Sequence, residues 1–277
     1  MFVASLASGS DGNALLVQAG DEALLIDAGI ALRSIEHLLS CHGVAPTQIR
    51  AVLLTHEHRD HVLSATSFAR RYQTPIIANA ATLAVLGEMT ANVPTAILPV
   101  GERGAVGAFT VESFRVAHDA VDPVGYRVQA AGVTVAIAVD LGSWDASTVA
   151  ALAMADLIVL EANHDRALLA AAPYPTAVRE RISSPRGHLD NVQCGQLLAQ
   201  IAAQGSIGDV WLAHLSLHAN TPQTAVARVQ QTLRQAGISR MPMLRALPAR
   251  AQPMPGRMLY WQAREQWQQT ALFAYDM

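Results

Sequence analysis

The run His56-Glu57-His58-Arg59-Asp60-His61 constrains this chain more than any other stretch. Three imidazoles and two carboxylates follow, after Thr55, on an apolar run, residues 51–54. Such a stretch cannot all pack into a core, because several imidazoles in apolar surroundings would lack hydrogen-bond partners. In a tight loop at a strand end, side chains i and i+2 project the same way. His56 and His58 then grip one ion, and Asp60 and His61, one step on, grip another. Imidazole and carboxylate form the ligand set of zinc, manganese or iron.

A metal site needs further ligands from elsewhere. Four candidates each close an apolar run: Asp27 after ALLI, His118 after SFRVA, Asp140 after VAIAV and His214 after VWLA. That position puts each at a sheet edge where loops converge. A lone aspartate after a strand is most often a turn residue. Four polar residues obeying one rule, beside the His-rich loop, point to a shared site.

The rest of the chain can build such a scaffold. Of 277 residues, 51% are hydrophobic and 15% charged, which excludes disorder as the dominant state. The formal net charge of −3 excludes a strongly basic, field-driven nucleic-acid binder but not an enzyme with a local basic track. All 19 basic residues are arginine, so lysine Schiff bases and P-loop lysines are excluded. Cys41 and Cys194 stand far apart, which excludes a disulfide framework or a thiolate zinc site and fits a reducing compartment. No basic leader with a long apolar stretch opens the chain, and no run of about 18 apolar residues occurs. The expectation is a soluble, cytoplasmic protein with no membrane partner.

Apolar patterning predicts strands at 2–7, 14–19, 23–26, 51–54 and 75–78, with helices at 30–41 and 62–72. Strands at 109–117, 124–129 and 133–139 follow, then a helix at 147–154 and a strand at 157–160. Helices at 166–171, 176–182, 191–204 and 222–235 enclose one more strand, 210–212. Each half opens on antiparallel-looking strands and then gains strand-plus-helix units. This is the pattern of an α/β four-layer αββα sandwich, two mixed sheets face to face with helices outside. We expect one domain over residues 1–277. Prolines break the pattern in a C-terminal extension, about 241–277, with a final strand at 258–262 and a loose tail.

The His-rich loop followed by a separate His, Asp and His resembles the metallo-β-lactamase superfamily. The segments LASGSDGN, LLIDAG, LTHEHRDH, VAHDAVDPVGY, VDLG, LEANHD, GHLDN and LAHLSLHANTP occur in order and are similar to the YycJ/WalJ-type metallohydrolases. The resemblance implies two divalent cations, zinc or manganese. His56, His58 and His118 would bind the first, Asp60, His61 and His214 the second, and Asp140 would bridge them. Asp27 would orient a ligand histidine. A hydroxide held between the ions would attack phosphorus, metal binding having lowered the pKa of water toward about 7. The activity implied is DNA exonuclease action. Asp60, Asp27 and His188 are thus the expected catalytic set, with His188 donating a proton to the leaving oxygen or binding the phosphate.

Around this centre, Glu161 is expected near His188 or His214, and Ser10 and Asn13 on the first glycine-rich loop. His164, Arg186 and Asn220 complete the expected substrate contacts. Arg179 and Arg181 face either a nucleic-acid backbone or solvent. His37, Cys41 and His42 read as structural or exposed. Two departures stand out: His218-Ala219-Asn220 replaces the usual Asn-Asn pair, and Asp11 adds a charge beside an anion-accepting site. The alternatives are a hydrolase of a small substrate (a cyclic phosphodiester, thioester or lactone), a non-catalytic metal-binding regulatory domain, or a diiron oxidoreductase. The last is disfavoured by the lack of a flavin-binding segment.

Overall fold

A computed structural model describes residues 1–248 and 260–263. Two seven-stranded mixed sheets form the centre of the molecule. The first contains β1 (Phe2–Ala7), β2 (Ala14–Ala19), β3 (Glu22–Ile26), β4 (Ile49–Leu53), β5 (Ile76–Ala78), β6 (Thr95–Ile97) and β14 (Tyr260–Gln262). Its order is β14-β1-β2-β3-β4-β5-β6. The second contains β7 (Arg103–Val106), β8 (Phe109–Arg115), β9 (Val124–Ala130), β10 (Val133–Ala138), β11 (Leu157–Glu161), β12 (Asp209–Ala213) and β13 (Leu244–Ala246). Its order is β13-β12-β11-β10-β9-β8-β7.

Period-two alternation decides which side chains meet between the sheets. Val3, Val17, Leu24, Leu53, Val111, Tyr126, Val135, Val159 and Trp211 form that inner layer, all buried. The opposite faces bury under helices. Leu16, Leu25 and Val52 pack with α1 (Leu32–Cys41) and α3 (Ala65–Tyr72). Ala136, Ile158 and Leu212 pack with α5 (Ala146–Leu152), α8 (Asn191–Ala203) and α9 (Pro222–Gln235). The four-layer αββα architecture is the one the sequence predicts.

The differences have local causes. The predicted helix at 62–72 is two pieces: a turn of helix, α2 (Arg59–Val62), and α3, separated by Leu63 and Ser64. Asp60 and His61 therefore sit on helix, not in an open loop. Strands β6, β7 and β13 and helix α4 (Ala80–Leu86) escape the pattern because they are short and their buried apolar residues few. The C-terminal segment contributes β14, paired with β1 through Val3 and Trp261. Residues 258 and 259 of the predicted last strand, and the predicted tail, lie outside the described residues.

Candidate metal centre

Parallel pairing fixes where the site forms. β3 runs parallel to β4, and β10 to β11 and β12, so their carboxyl ends open on one edge. At that edge Asp27, Asp140 and His214 turn with φ of 61°, 54° and 55°. Non-glycine residues rarely hold this left-handed conformation, and Asp and His are among those that tolerate it. Such backbone persists where the surroundings over-determine it, as at active sites.

Backbone bonds pin the His-rich turn to the first loop. Asn13 N–H donates to Asp60 O at 2.8 Å, Gly29 N–H to Asn13 O at 2.8 Å, and Ala28 N–H to His61 O at 2.8 Å. A Cβ on Gly29 would lie 1.5 Å from Asp60 O, so only glycine lets the three segments meet. Tyr126, fully buried, donates its hydroxyl to Leu54 O at 2.7 Å and fixes the exit of β4.

The side chains then converge. His56, His58 and His118 form one cluster, and Asp60, His61 and His214 another, with ligand atoms mutually within 4.8 Å in each. Asp140 reaches toward both: its Oδ2 is 2.7 Å from His61 Nε2 and 4.0 Å from His56 Nε2, and its Oδ1 is 3.2 Å from His214 Nδ1. Every residue expected as a metal ligand is in this group.

The imidazoles are held from behind. His61 Nδ1 meets Asp27 Oδ2 at 2.8 Å, and His118 Nδ1 meets Gly187 O at 3.0 Å. His214 Nδ1 meets Glu161 Oε1 at 2.8 Å, and His56 Nδ1 meets Thr55 Oγ at 3.0 Å. Thr55 Oγ in turn contacts both Asp27 oxygens, at 3.1 and 3.0 Å. Fixing Nδ1 selects the tautomer that offers Nε2 as a ligand. Among the described residues, His56 Nε2 and His214 Nε2 are buried and have no hydrogen-bond partner. Orphaned buried nitrogens are costly, and together with these carboxylates they fit a cation pair.

Burial and neighbouring charge compete at each titrating group of the cluster. Burial opposes protonation of His61, but Asp27 and Asp140 outweigh it and hold the imidazole well above its ordinary value. Burial likewise opposes the charged forms of His214 and His188. Asp140, Asp60 and Glu161 lift His214 to about 9, while Glu161 and Asp140 lift His188 to about 10. Burial raises Glu161, but His188 and His214 overcome it and hold it at about 2. His56 stays low through burial and its imidazole neighbours.

The remaining expected residues divide. Asn13 lies inside the centre, its Nδ2 3.0 Å from His61 Nε2 and 3.3 Å from Asp60 Oδ2. Glu161 lies between both candidates, with Oε1 2.8 Å from the Nδ1 atoms of His188 and His214. Its Oε2 accepts from Leu141 N–H and Leu189 N–H at 3.0 and 3.1 Å. Arg186 spends its guanidinium on His118 O, at 3.1 and 3.0 Å. Asn220 is buried and bonded to Ala162 O, Asn163 O and Asn191, an internal clamp on the turn after β11. Ser10 and Asp11 are exposed, whereas Ser8 is buried and accepts from His214 N–H at 2.8 Å. His164 is buried beside the centre rather than in it.

Sequence reasoning assigned no side-chain role to Ser8, Thr55, Glu57 or Asp119. Glu57 Oε1 accepts from Val121 N–H at 2.9 Å and ties the His-rich turn to the loop bearing His118. Asp119 Oδ1 lies 3.1 Å from His118 Nε2, and its Oδ2 receives Arg181 Nε at 2.5 Å. Thr55 adjoins the motif, and Asp119 follows a predicted ligand. Adjacency was the available signal for both.

This arrangement, a two-part His/Asp cluster at one edge of an αββα sandwich, is that of a metallo-β-lactamase-type fold. Residues 22–214 match the family model described as the β-lactamase superfamily domain. An exodeoxyribonuclease YycJ of Bacillus anthracis is 33% identical over 235 residues, covering 84% of this chain and 89% of the relative. An exodeoxyribonuclease WalJ of Streptococcus pneumoniae is 30% identical over 239 residues, covering 84% and 88%. The metallo-β-lactamase fold protein YhfI of Bacillus subtilis superposes with a TM-score of 0.71 at 19% identity, covering 94% of this chain and 99% of that one. The chain belongs to the β-lactamase superfamily and, within it, to the YycJ/WalJ-type branch.

Proposed function

We propose that this protein is a metal-dependent DNA exonuclease that hydrolyses phosphodiester bonds. The observation that carries this reading is the pair of buried, unpartnered nitrogens, His56 Nε2 and His214 Nε2, in a cluster also holding Asp60 and Asp140. His56, His58 and His118 would hold one divalent cation, and Asp60, His61 and His214 a second, with Asp140 between them. When bound, zinc or manganese supplies an acidified water and neutralises charge developing on phosphoryl oxygens.

The chain's own residues do the rest. Asp27 and Thr55 orient His61 and His56, and Glu161 orients His214. Beside the cluster, His188 shares Glu161 at 2.8 Å and Asp140 at 3.2 Å, contacts that favour its protonated form. A protonated imidazole there delivers its proton to the leaving oxygen, or binds a phosphate oxygen as a charged donor. The exodeoxyribonuclease names of relatives that align over 84% of the chain support DNA as the substrate class.

A second reading, hydrolysis of a small phosphodiester or ester, is favoured by the net charge of −3, because an enzyme that tracks a strand gains from positive charge. End-labelled duplex and single strands with added manganese or zinc, run beside a panel of small esters, separate the two. Turnover of esters alone discards the nuclease reading. Residues 1–277 are read as one domain, and the free thiols of Cys41 and Cys194 fit a reducing cytoplasm. Among the described residues, no helix is long and apolar enough to cross a membrane.

A further inference from the structure

A cavity lies beside the metal centre without sharing its ligands. It lies between α6 (Arg166–Ala171), α7 (Thr176–Ile182) and the start of α8, and its volume is about 470 Å³. That is within the roughly 300–1,000 Å³ range of small-molecule sites. His164 lines it and is 2% exposed, and among the described residues its Nδ1 has no hydrogen-bond partner. A buried imidazole nitrogen with no partner is a cost that a ligand can relieve.

The rest of the lining combines three chemistries. Arg166 and Arg179 bring cationic donors, Leu169 an apolar surface, and Glu180 a carboxylate. Arg166 is pinned by Asp190 at 2.5 Å. Among the described residues, Arg179 makes two long bonds, 3.2 Å to Thr176 Oγ and 3.4 Å to Ala170 O, which leaves it donor capacity. Guanidinium donors suit a phosphate, an apolar wall suits the face of a base, and a carboxylate and an imidazole suit its polar edge.

The cavity and the metal centre share their dividing wall. His164 is three residues past Glu161, and Asp190 two past His188. A parallel bridge joins His164 to Asp190, and Asn191 N–H donates to His164 O at 2.9 Å. One backbone segment therefore separates the cavity lining, His164 and Asp190, from Glu161 and His188 at the cluster.

We propose that this cavity is a subsite for one nucleotide of the substrate strand, next to the bond that is cut. The proposal rests on the nuclease reading and extends it. The test titrates a deoxynucleoside 5′-monophosphate calorimetrically into the metal-loaded full chain and three variants. Ala170→Trp fills the cavity from an exposed position, Arg179→Gln removes its donor, and Arg234→Gln removes an exposed charge on α9 that lines neither the cavity nor the metal cluster. The expected result is a Kd at least tenfold weaker for the first two and within threefold of wild type for Arg234→Gln. Ala170→Trp also raises KM for a short oligonucleotide at least tenfold, with kcat within threefold. Equal Kd values for wild type and both cavity variants overturn the proposal, as does an equal loss of binding in Arg234→Gln. If wild type cuts no DNA while nucleotide binding still depends on Ala170 and Arg179, the nuclease reading falls and the cavity stands as a nucleotide site.

Discussion

Asp27 and His61, 34 residues apart in the chain, meet with Oδ2 and Nδ1 2.8 Å apart. The same carboxylate accepts Thr55 N–H at 2.9 Å and the Thr55 hydroxyl. One buried side chain therefore fixes the end of β4 and the tautomer of His61, and through Thr55 it reaches His56. Asp27→Asn keeps the shape but removes the charge that holds the His61 proton on Nδ1. We predict a loss of metal affinity of about 10–100-fold, the range for partners that orient ligands. Competition against a chromophoric chelator measures it, and unchanged affinity contradicts the orienting role.

Glu161 supplies the same service to two imidazoles, and removing its charge has a distinct signature. Burial disfavours protonated His188, and Glu161 is the largest influence raising it. Glu161→Gln removes that influence and leaves Asp140 alone to oppose burial, so the His188 pKa falls. A proton donor acts only below its pKa, so the alkaline limb of kcat moves to lower pH. At saturating metal, kcat at pH 8 drops by roughly 10²-fold, the lower end of general acid–base contributions. A pH–rate profile with its alkaline limb unmoved excludes His188 as the acid.

Gly29 is the most tightly enclosed of the glycines among the described residues. Gly29→Ala drives a methyl group to 1.5 Å from Asp60 O and 2.8 Å from Asn13 N, both backbone atoms. Backbone cannot yield cheaply, so the cost is about 3 kcal/mol or more, above ordinary overpacking. Urea unfolding of this variant has its midpoint well below wild type, or the variant fails to fold. A wild-type midpoint contradicts the packing.

Much of this was legible in the sequence because ligands must sit where strands end. Asp27, His118, Asp140 and His214 each follow an apolar run, and period-two patterning located those runs. Side-chain partners were less legible. Asn220 carries a polar group suited to substrate, yet it is consumed by Ala162, Asn163 and Asn191. Ser8 and Ser10 look alike in the sequence, and only the turn at Gly9 buries one and exposes the other. Loop conformation sets these outcomes, and it leaves no periodic trace.

Tyr126 gives the fold an alkaline weakness. Burial holds its phenol well above the ordinary value, while an unfolded tyrosine ionises near ~10. Its contribution to stability is full below ~10 and lost as pH climbs toward the folded-state value. No lysine titrates in the same window. Tyr126→Phe loses the bond to Leu54 O, costing about 1–3 kcal/mol at pH 7 because that carbonyl is left unpaired. Above pH 10 its stability declines less steeply than that of wild type. Urea midpoints between pH 7 and 11 test this, and parallel curves refute it.

Removing metal tests the centre as a whole. Among the described residues, His56 Nε2 and His214 Nε2 are buried without partners, beside the carboxylates of Asp60 and Asp140. Cations bind the folded site and not the dispersed ligands, so they stabilise by mass action. At a free-metal excess of 100 Kd the gain is about 2.7 kcal/mol. For a domain of this size that corresponds to a rise in Tm of roughly 5–10 °C. We predict that EDTA abolishes hydrolysis of bis(p-nitrophenyl) phosphate and lowers Tm by this amount, and that zinc or manganese restores both. The His58→Ala variant blunts the Tm response because one cation loses a ligand. A chelated protein that melts at the metal-loaded temperature would mean that these side chains converge for some reason other than holding ions.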